Sequence, residues 1–280
     1  MREVAIIGAG ELGGALAHVL AVRDVARYLR LVDETGRVAE GKALDIVQSA
    51  PVQGFATAVH GSANLADAAA AAIVVLADRA GGAEWQGDDG VLLLKRIFQT
   101  NPRAVVICAG AHQRELVDRG PVEIGVARER LFGTAPEAMR GAVRAMVALE
   151  LNVSPRDVAL SMLGVPPAHI VIPWGEATVA GFAAMRMLDE PARRRLAARI
   201  PALWPPGPVA LAHAACRVIE AIAGRSRGLA TCFVSPDRSA GVRTRTAALP
   251  VRLAAHGIAG VLMPELSVVE QIALDNAMNV

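Results

Sequence analysis

Aromatic side chains are scarce in this chain: one Tyr, three Trp and five Phe among 280 residues. Lysine is scarce too, with Lys42 and Lys95 the only two, so arginine carries the positive charge. The apolar content, 53% of the residues, is therefore mostly Ala, Val and Leu. These suit helices packed closely on a sheet. The three cysteines, Cys108, Cys216 and Cys232, have neither CxxC nor metal-ligand spacing. That argues against a zinc site or a disulfide framework and predicts reduced, buried thiols. Charge of one sign is also lacking. Twenty-nine basic residues face 27 acidic ones, for a net charge of +2. No field follows that would draw nucleic acid or an anionic membrane. The longest apolar run, residues 68–77, is far too short to span a bilayer. Met1-Arg2-Glu3 runs directly into an apolar strand without a leader-like segment. The expectation is a soluble, cytoplasmic protein with no nucleic-acid, membrane or metal partner.

What is present is alternation. Val4–Ile7 is an apolar run suited to a buried parallel strand. A glycine turn leads to a helix over 11–22, then a strand over 29–32 and a helix over 37–49 that stops before Pro51. Strands follow at 55–59, 73–76 and 104–108, with a Gly/Asp-rich loop at 77–90 and a helix at 91–99. The pattern predicts an α/β fold with a doubly wound parallel sheet. Beyond about residue 110 it changes. A long helix is predicted over 136–151, strands near 158–163 and 170–173, and a helix over 209–223. Two antiparallel strands are expected at 229–234 and 247–253. Ser267-Val268-Val269-Glu270 reads as a capping box opening the last helix. The expected division is a dinucleotide-binding domain over 1–140 and an α+β domain over 141–280.

Gly8-Ala9-Gly10-Glu11-Leu12-Gly13 sits between the first strand and first helix, where a dinucleotide turn must lie. Gly8 permits the tight turn, Gly10 lets backbone approach a pyrophosphate, and Gly13 lets helix pack on strand. The N–H groups of Glu11 and Leu12 face the same anion at the positive end of the helix. Asp33 ends the second strand, placed to accept hydrogen bonds from a ribose diol and to repel a 2′-phosphate. The cofactor expected is NAD.

Val4–Gly14, the stretch Gly41-Lys42-Ala43-Leu44-Asp45-Ile46 with Gln48-Ser49-Ala50-Pro51-Val52, and the closing residues Leu249–Glu270 together resemble the L-lactate/malate dehydrogenase family. The resemblance covers essentially the whole chain, with a deletion expected near 190–205. It implies a Rossmann-type domain, an α+β catalytic-type domain, NAD, and a homo-oligomer, dimer or tetramer. It also implies a catalytic His, an Asp orienting that His, an Arg clamping the substrate carboxylate and an Arg on a mobile loop.

At the matching positions this chain departs from the family. Pro166 stands where the His is expected, with His169 three residues on. Met139 and Ala142 stand at the Asp and Arg positions, with a shifted echo in Glu137 and Arg140; Arg144 fits a family position without an assigned role. Gly82 and Asp88 stand at the loop arginines, and the loop is acidic, with Asp88 and Asp89 facing an incoming anion. Arg79 falls where the family keeps a small residue beside the cofactor, and Asp78 with Arg79 crowds the dinucleotide. Gly110-Ala111-His112 replaces the family's Asn-Asn-Pro. Three readings result. The first is an NAD(H)-binding pseudoenzyme with little or no 2-hydroxy acid dehydrogenase activity, alone or paired with an active relative. The second is an active NAD-dependent oxidoreductase using relocated residues (His169, Arg140, Glu137) or a non-anionic substrate. The third is a structural oligomer without nucleotide.

Overall fold

In the computed structural model, residues 1–237 and 245–279 are described. The first six strands are β1 (Glu3–Ile7), β2 (Tyr28–Val32), β3 (Ala58–Ser62), β4 (Ile73–Leu76), β5 (Val105–Cys108) and β6 (Leu131–Gly133). They lie parallel in the order β3-β2-β1-β4-β5-β6. This is the doubly wound arrangement, and its strand order reverses between β1 and β4. The helices of this part are α1 (Glu11–Val22), α2 (Gly36–Gln53), α3 (Gly87–Thr100) and α4 (Arg114–Glu123). β1, β4 and β5 are buried at every residue, as strands covered on both faces must be.

Next come α5 (Ala135–Leu151), β7 (Val158–Ala159), β8 (Leu163–Val165), β9 (His169–Val171), β10 (Thr178–Val179), β11 (Phe182–Ala183) and α6 (Glu190–Arg199). The chain ends with α7 (Pro208–Ile222), β12 (Ala230–Val234), β13 (Ala247–Ala254), β14 (Gly257–Val261) and α8 (Val268–Met278). The parallel sheet continues into antiparallel β12, β13, β8 and β9, with β14 on β13, to make 11 strands. β7, β10 and β11 form a separate small sheet. Among the described residues, no helix is long and apolar enough to cross a membrane.

Among the described residues two large hydrophobic cores form, with a small third cluster of Leu163, Val171 and Leu274 under α8. One lies between the large sheet and its helices. The second gathers Met139, Val143, Met146 and Val147 of α5 with Leu160, Met162 and Leu196. α7 belongs to the later half of the chain but packs against α1. Arg225, just beyond α7, donates to the carbonyls of Arg23 and Asp24 at 2.7 and 2.6 Å, and Arg23 pairs with Glu220 at 2.9 Å.

Several elements differ from the sequence expectation for local reasons. α2 does not stop before Pro51 but runs through it. Pro51 lies in the last turn, so it forfeits one i→i−4 bond close to the helix end, and Gly54 (φ +78°) closes the helix. β3 starts at Ala58 rather than Phe55, because the Asp24 carboxylate takes the N–H groups of Ala56 and Thr57. α4 and α6 are not visible in the hydrophobic pattern. α4 carries Pro121, and α6 buries only Ala192 and Leu196. The capping box at Ser267 and Glu270 is present, with both reciprocal bonds.

α2 rests directly on β3 at Gly61, where an added Cβ would stand 2.3 Å from the carbonyl of Ala39. Gly61→Ala is expected to destabilise the fold by about 1–3 kcal/mol, read as a lower urea midpoint at unchanged slope.

Candidate functional site

The crevice outside the carboxyl ends of β1 and β4 is where a doubly wound sheet places a ligand. Gly8, Gly10, Glu11, Leu12 and Gly13 meet there with Asp33. Gly8 adopts φ +115°, and a Cβ on it would lie 2.3 Å from the carbonyl oxygen of Asp78. A Cβ on Gly13 would lie 2.0 Å from the oxygen of Gly8. Both glycines are therefore required by the contact of β1, β4 and α1, whether or not a ligand binds.

The turn is filled by the chain itself. The buried Asp78 carboxylate accepts from the N–H of Gly13 at 2.9 Å and of Leu12 at 3.2 Å. The Asp78 carbonyl accepts from the N–H of Gly10 at 2.9 Å. A Cβ on Gly10 would collide with the Asp78 carboxylate at 2.3 Å. Asp33 is likewise engaged. One oxygen accepts from the N–H of Ala9 (2.8 Å) and of Ala80 (2.9 Å), and the other from Thr35 (2.8 Å). A pyrophosphate in this turn needs the amides that Asp78 holds, and it would meet a second negative charge there. As arranged, the Leu12 and Gly13 amides are held by the Asp78 carboxylate rather than offered to a ligand. The residues read as cofactor-binding do converge, and the amides of Gly10, Leu12 and Gly13 and the Asp33 carboxylate are already paired within the chain.

Asp78 is the first residue of a short hairpin that closes with a bridge to Glu84. Arg79 donates its N–H to the Ala83 carbonyl at 2.8 Å. Its guanidinium stacks on Trp85 at 3.7 Å and lies 3.7 Å from Asp89. Glu84 anchors the far end, its carboxylate accepting from the N–H of Ala111 (3.0 Å) and of His112 (2.8 Å). The hairpin thus sets one carboxylate on each of two amide clusters. A first cleft of about 430 Å³ is lined by Asp33, Asn64, Trp85 and Arg96, and the hairpin itself lines a second of about 430 Å³ together with Gly10, Lys42, His112 and Pro206. Lys42 donates to the Gly10 carbonyl at 2.6 Å, which steadies the turn from its other side.

His112 is half exposed in the second cleft, with Nδ1 3.3 Å from Glu84. Asp88 and Asp89 do not face this cleft as expected. They occupy the first turn of α3, are largely exposed, and pair with Arg119 and Arg79. The acidic groups that line the cleft are Glu11, Asp78 and Glu84.

The remaining candidates lie elsewhere. Pro166 is buried in the β8–β9 turn, and His169 opens β9 as an exposed residue opposite Val165. Met139 is fully buried in the second core. Glu137 and Arg140 form a two-pronged ion pair at 2.6 and 3.0 Å. Glu137 also meets Arg217 of α7 at 3.1 Å and accepts from the N–H of Thr231 in β12 at 2.8 Å. The pair ties α5 to α7 and β12 and leaves Glu137 only 6% exposed. Arg144 donates to the carbonyls of Val158 and Pro155, holding α5 to the turn that follows it. The three cysteines are free and buried. Burial pushes the Cys108 and Cys232 thiols well up, and that of Cys216 to about 12. Among the described residues, no three His, Cys, Asp or Glu side chains gather as a metal site would.

Sequence reasoning marked Asp78 as crowding but missed Glu84, Lys42 and Arg217. An Asp directly after the fully apolar β4 was the available signal for the first. Lys42 lies in the stretch that carries the family resemblance, and nothing local marks Glu84 or Arg217.

Residues 2–98 match the family model described as lactate/malate dehydrogenase, NAD binding domain. The chain is 31% identical over 210 residues to malate dehydrogenase of Thioalkalivibrio sulfidiphilus, covering 71% of this chain and 68% of that protein. It is 28% identical over 300 residues to malate dehydrogenase of Desulforudis audaxviator, covering 99% and 96%. Its fold is similar to that of Cryptosporidium parvum lactate dehydrogenase, solved with lactic acid and nicotinamide adenine dinucleotide. That likeness has a TM-score of 0.86 and 20% identity, and covers 99% of this chain and 95% of that one.

Two outcomes are expected. Glu137→Ala leaves Arg140 buried without its partner and should cost about 3–5 kcal/mol in chemical denaturation. None of the three thiols should react with a thiol reagent at pH 8 until the protein unfolds, because thiolate is the reactive form and burial disfavours it.

Proposed function

The chain belongs to the lactate/malate dehydrogenase family, and on that premise we propose that it is a member without useful turnover of malate or lactate, acting as a binding or assembly protein. One observation carries this reading. Glu137 and Arg140, the residue types closest to the family's Asp and Arg, are spent in a buried network with Arg217 and Thr231. Neither is free to orient a general acid or to clamp a substrate carboxylate. The expected His position holds Pro166, whose side chain has no titratable group, and His169 is exposed on a different strand. Losing one acid–base or charge-stabilising group costs a factor of about 10²–10⁴ in rate. Losing all of them removes the chemistry.

The reading retains the family's dinucleotide-binding scaffold in Gly8, Gly10, Gly13 and Asp33, with NAD(H) as the ligand that scaffold suits once the hairpin leaves it. It also includes a homo-oligomer, dimer or tetramer, which light scattering on the purified chain would count.

The comparisons favour a second reading. The relatives matched across nearly the whole chain are malate dehydrogenases, so an active NAD-dependent oxidoreductase with rewritten chemistry has support. In that case His112, held by Glu84 and open to the cleft, is the imidazole placed to move a proton.

Following NADH absorbance with oxaloacetate, pyruvate and a set of neutral carbonyls separates the two. No turnover above background is expected with any of them. Oxaloacetate or pyruvate turnover of about 1 s⁻¹ or more would overturn the proposal. Turnover of a neutral carbonyl alone, abolished in His112→Gln, would establish the second reading.

A further inference from the structure

We propose that the hairpin of residues 78–84 is an internal competitor for the dinucleotide turn, with the Asp78 carboxylate standing where a ligand's phosphate would stand. The proposal rests on the reading that this crevice is the nucleotide groove of the fold. The amides at the start of α1 form an anion cradle, with N–H groups converging at the positive end of a 12-residue helix. In this chain the cradle is met by a carboxylate rather than left to solvent. Asp78 is buried, both of its oxygens accept backbone N–H groups of the cradle, and its own carbonyl binds Gly10.

The hairpin is tied down at three further points, so Asp78 is held in the cradle. Asp33 accepts from Ala80. Arg79 stacks on Trp85. Glu84 repeats the pattern of Asp78 on the amides of Ala111 and His112. One hairpin thereby brings two carboxylates to two amide clusters on opposite sides of the β1–β4 switch point. A phosphate-bearing ligand has to displace the first carboxylate and would meet its charge while doing so. A ligand without phosphate does not need that displacement. Asp78 is therefore the specificity-determining residue of the groove, set against phosphate esters.

The test is equilibrium binding of NADH, followed by its fluorescence, to the full-length protein, to Asp78→Ala and to the isosteric Asp78→Asn, with the exposed Asp67→Ala as control. Thermal melts confirm that each variant is folded, and Asp78→Asn carries the test where the alanine variant does not fold. The expected result is a Kd weaker than about 1 mM for the wild type and the control. Binding should be at least about tenfold tighter in the alanine variant, with the asparagine variant between them. Inorganic pyrophosphate should compete with NADH in the alanine variant.

Wild-type binding as tight as that of Asp78→Ala would overturn the proposal. So would the failure of every folded variant to bind. The outcome is separable from that of the proposed function. NADH binding by the wild type without turnover sinks the competitor and leaves the silent reading intact. Turnover whose KM for NADH falls in Asp78→Ala sinks the silent reading and supports the competitor.

Discussion

A helix that begins inside a protein leaves backbone N–H groups that need acceptors, and the arrangement around α1 follows from how this chain supplies them. In a nucleotide-binding fold a ligand's phosphate can do so. Here Asp78 does, from the end of the neighbouring strand β4. Because its carbonyl must also reach Gly10, β4, α1 and the glycine turn are drawn into one close contact that tolerates no side chain at 8, 10 or 13. Stability follows from the same exchange. A protein whose helix end is capped by its own carboxylate does not depend on ligand occupancy for that contact, so mass action by a cofactor adds nothing to it until the carboxylate moves.

The second half of the molecule meets an analogous requirement with an ion pair. Glu137 sits at the start of α5, where a negative charge suits the helix dipole. Arg140, Arg217 and the Thr231 amide satisfy it in a site with little access to water. Such a cluster fixes the packing of α5 on α7 and β12. In doing so it takes out of circulation the residue types that dehydrogenase chemistry would need nearby.

How far the sequence reveals this depends on the range of each interaction. α1, β1 and β4 are legible because their signals are local: an apolar run, glycines at fixed spacing, a helix start. The capping box at Ser267 is legible for the same reason. The start of α3 at Gly87 is not, because its first turn is Gly and Asp. That is why Asp88 and Asp89 read as a repelling loop when they are a helix N-terminus. The i,i+3 spacing of Glu137 and Arg140 allows an ion pair, but their third and fourth partners come from α7 and β12. Asp78 stands out as a charge after a buried strand, yet its seat on α1 is a tertiary fact that spacing does not encode.

The bracing of α1 by α7 bears on how the groove could ever open. Arg225 holds the carbonyls at the end of α1, and Glu220 holds Arg23. The later half of the chain is thus fastened to the very helix that forms one wall of the groove. A jaw-like swing of one half against the other would have to break that fastening and pull α7 off α1. Lifting the hairpin breaks six backbone N–H hydrogen bonds, the Arg79 stack on Trp85 and its pair with Asp89, but leaves the packing of α7 on α1 in place. The contacts that close the groove thus lie in a latch of seven consecutive residues, which can be re-engineered without touching the bracing of α1 by α7.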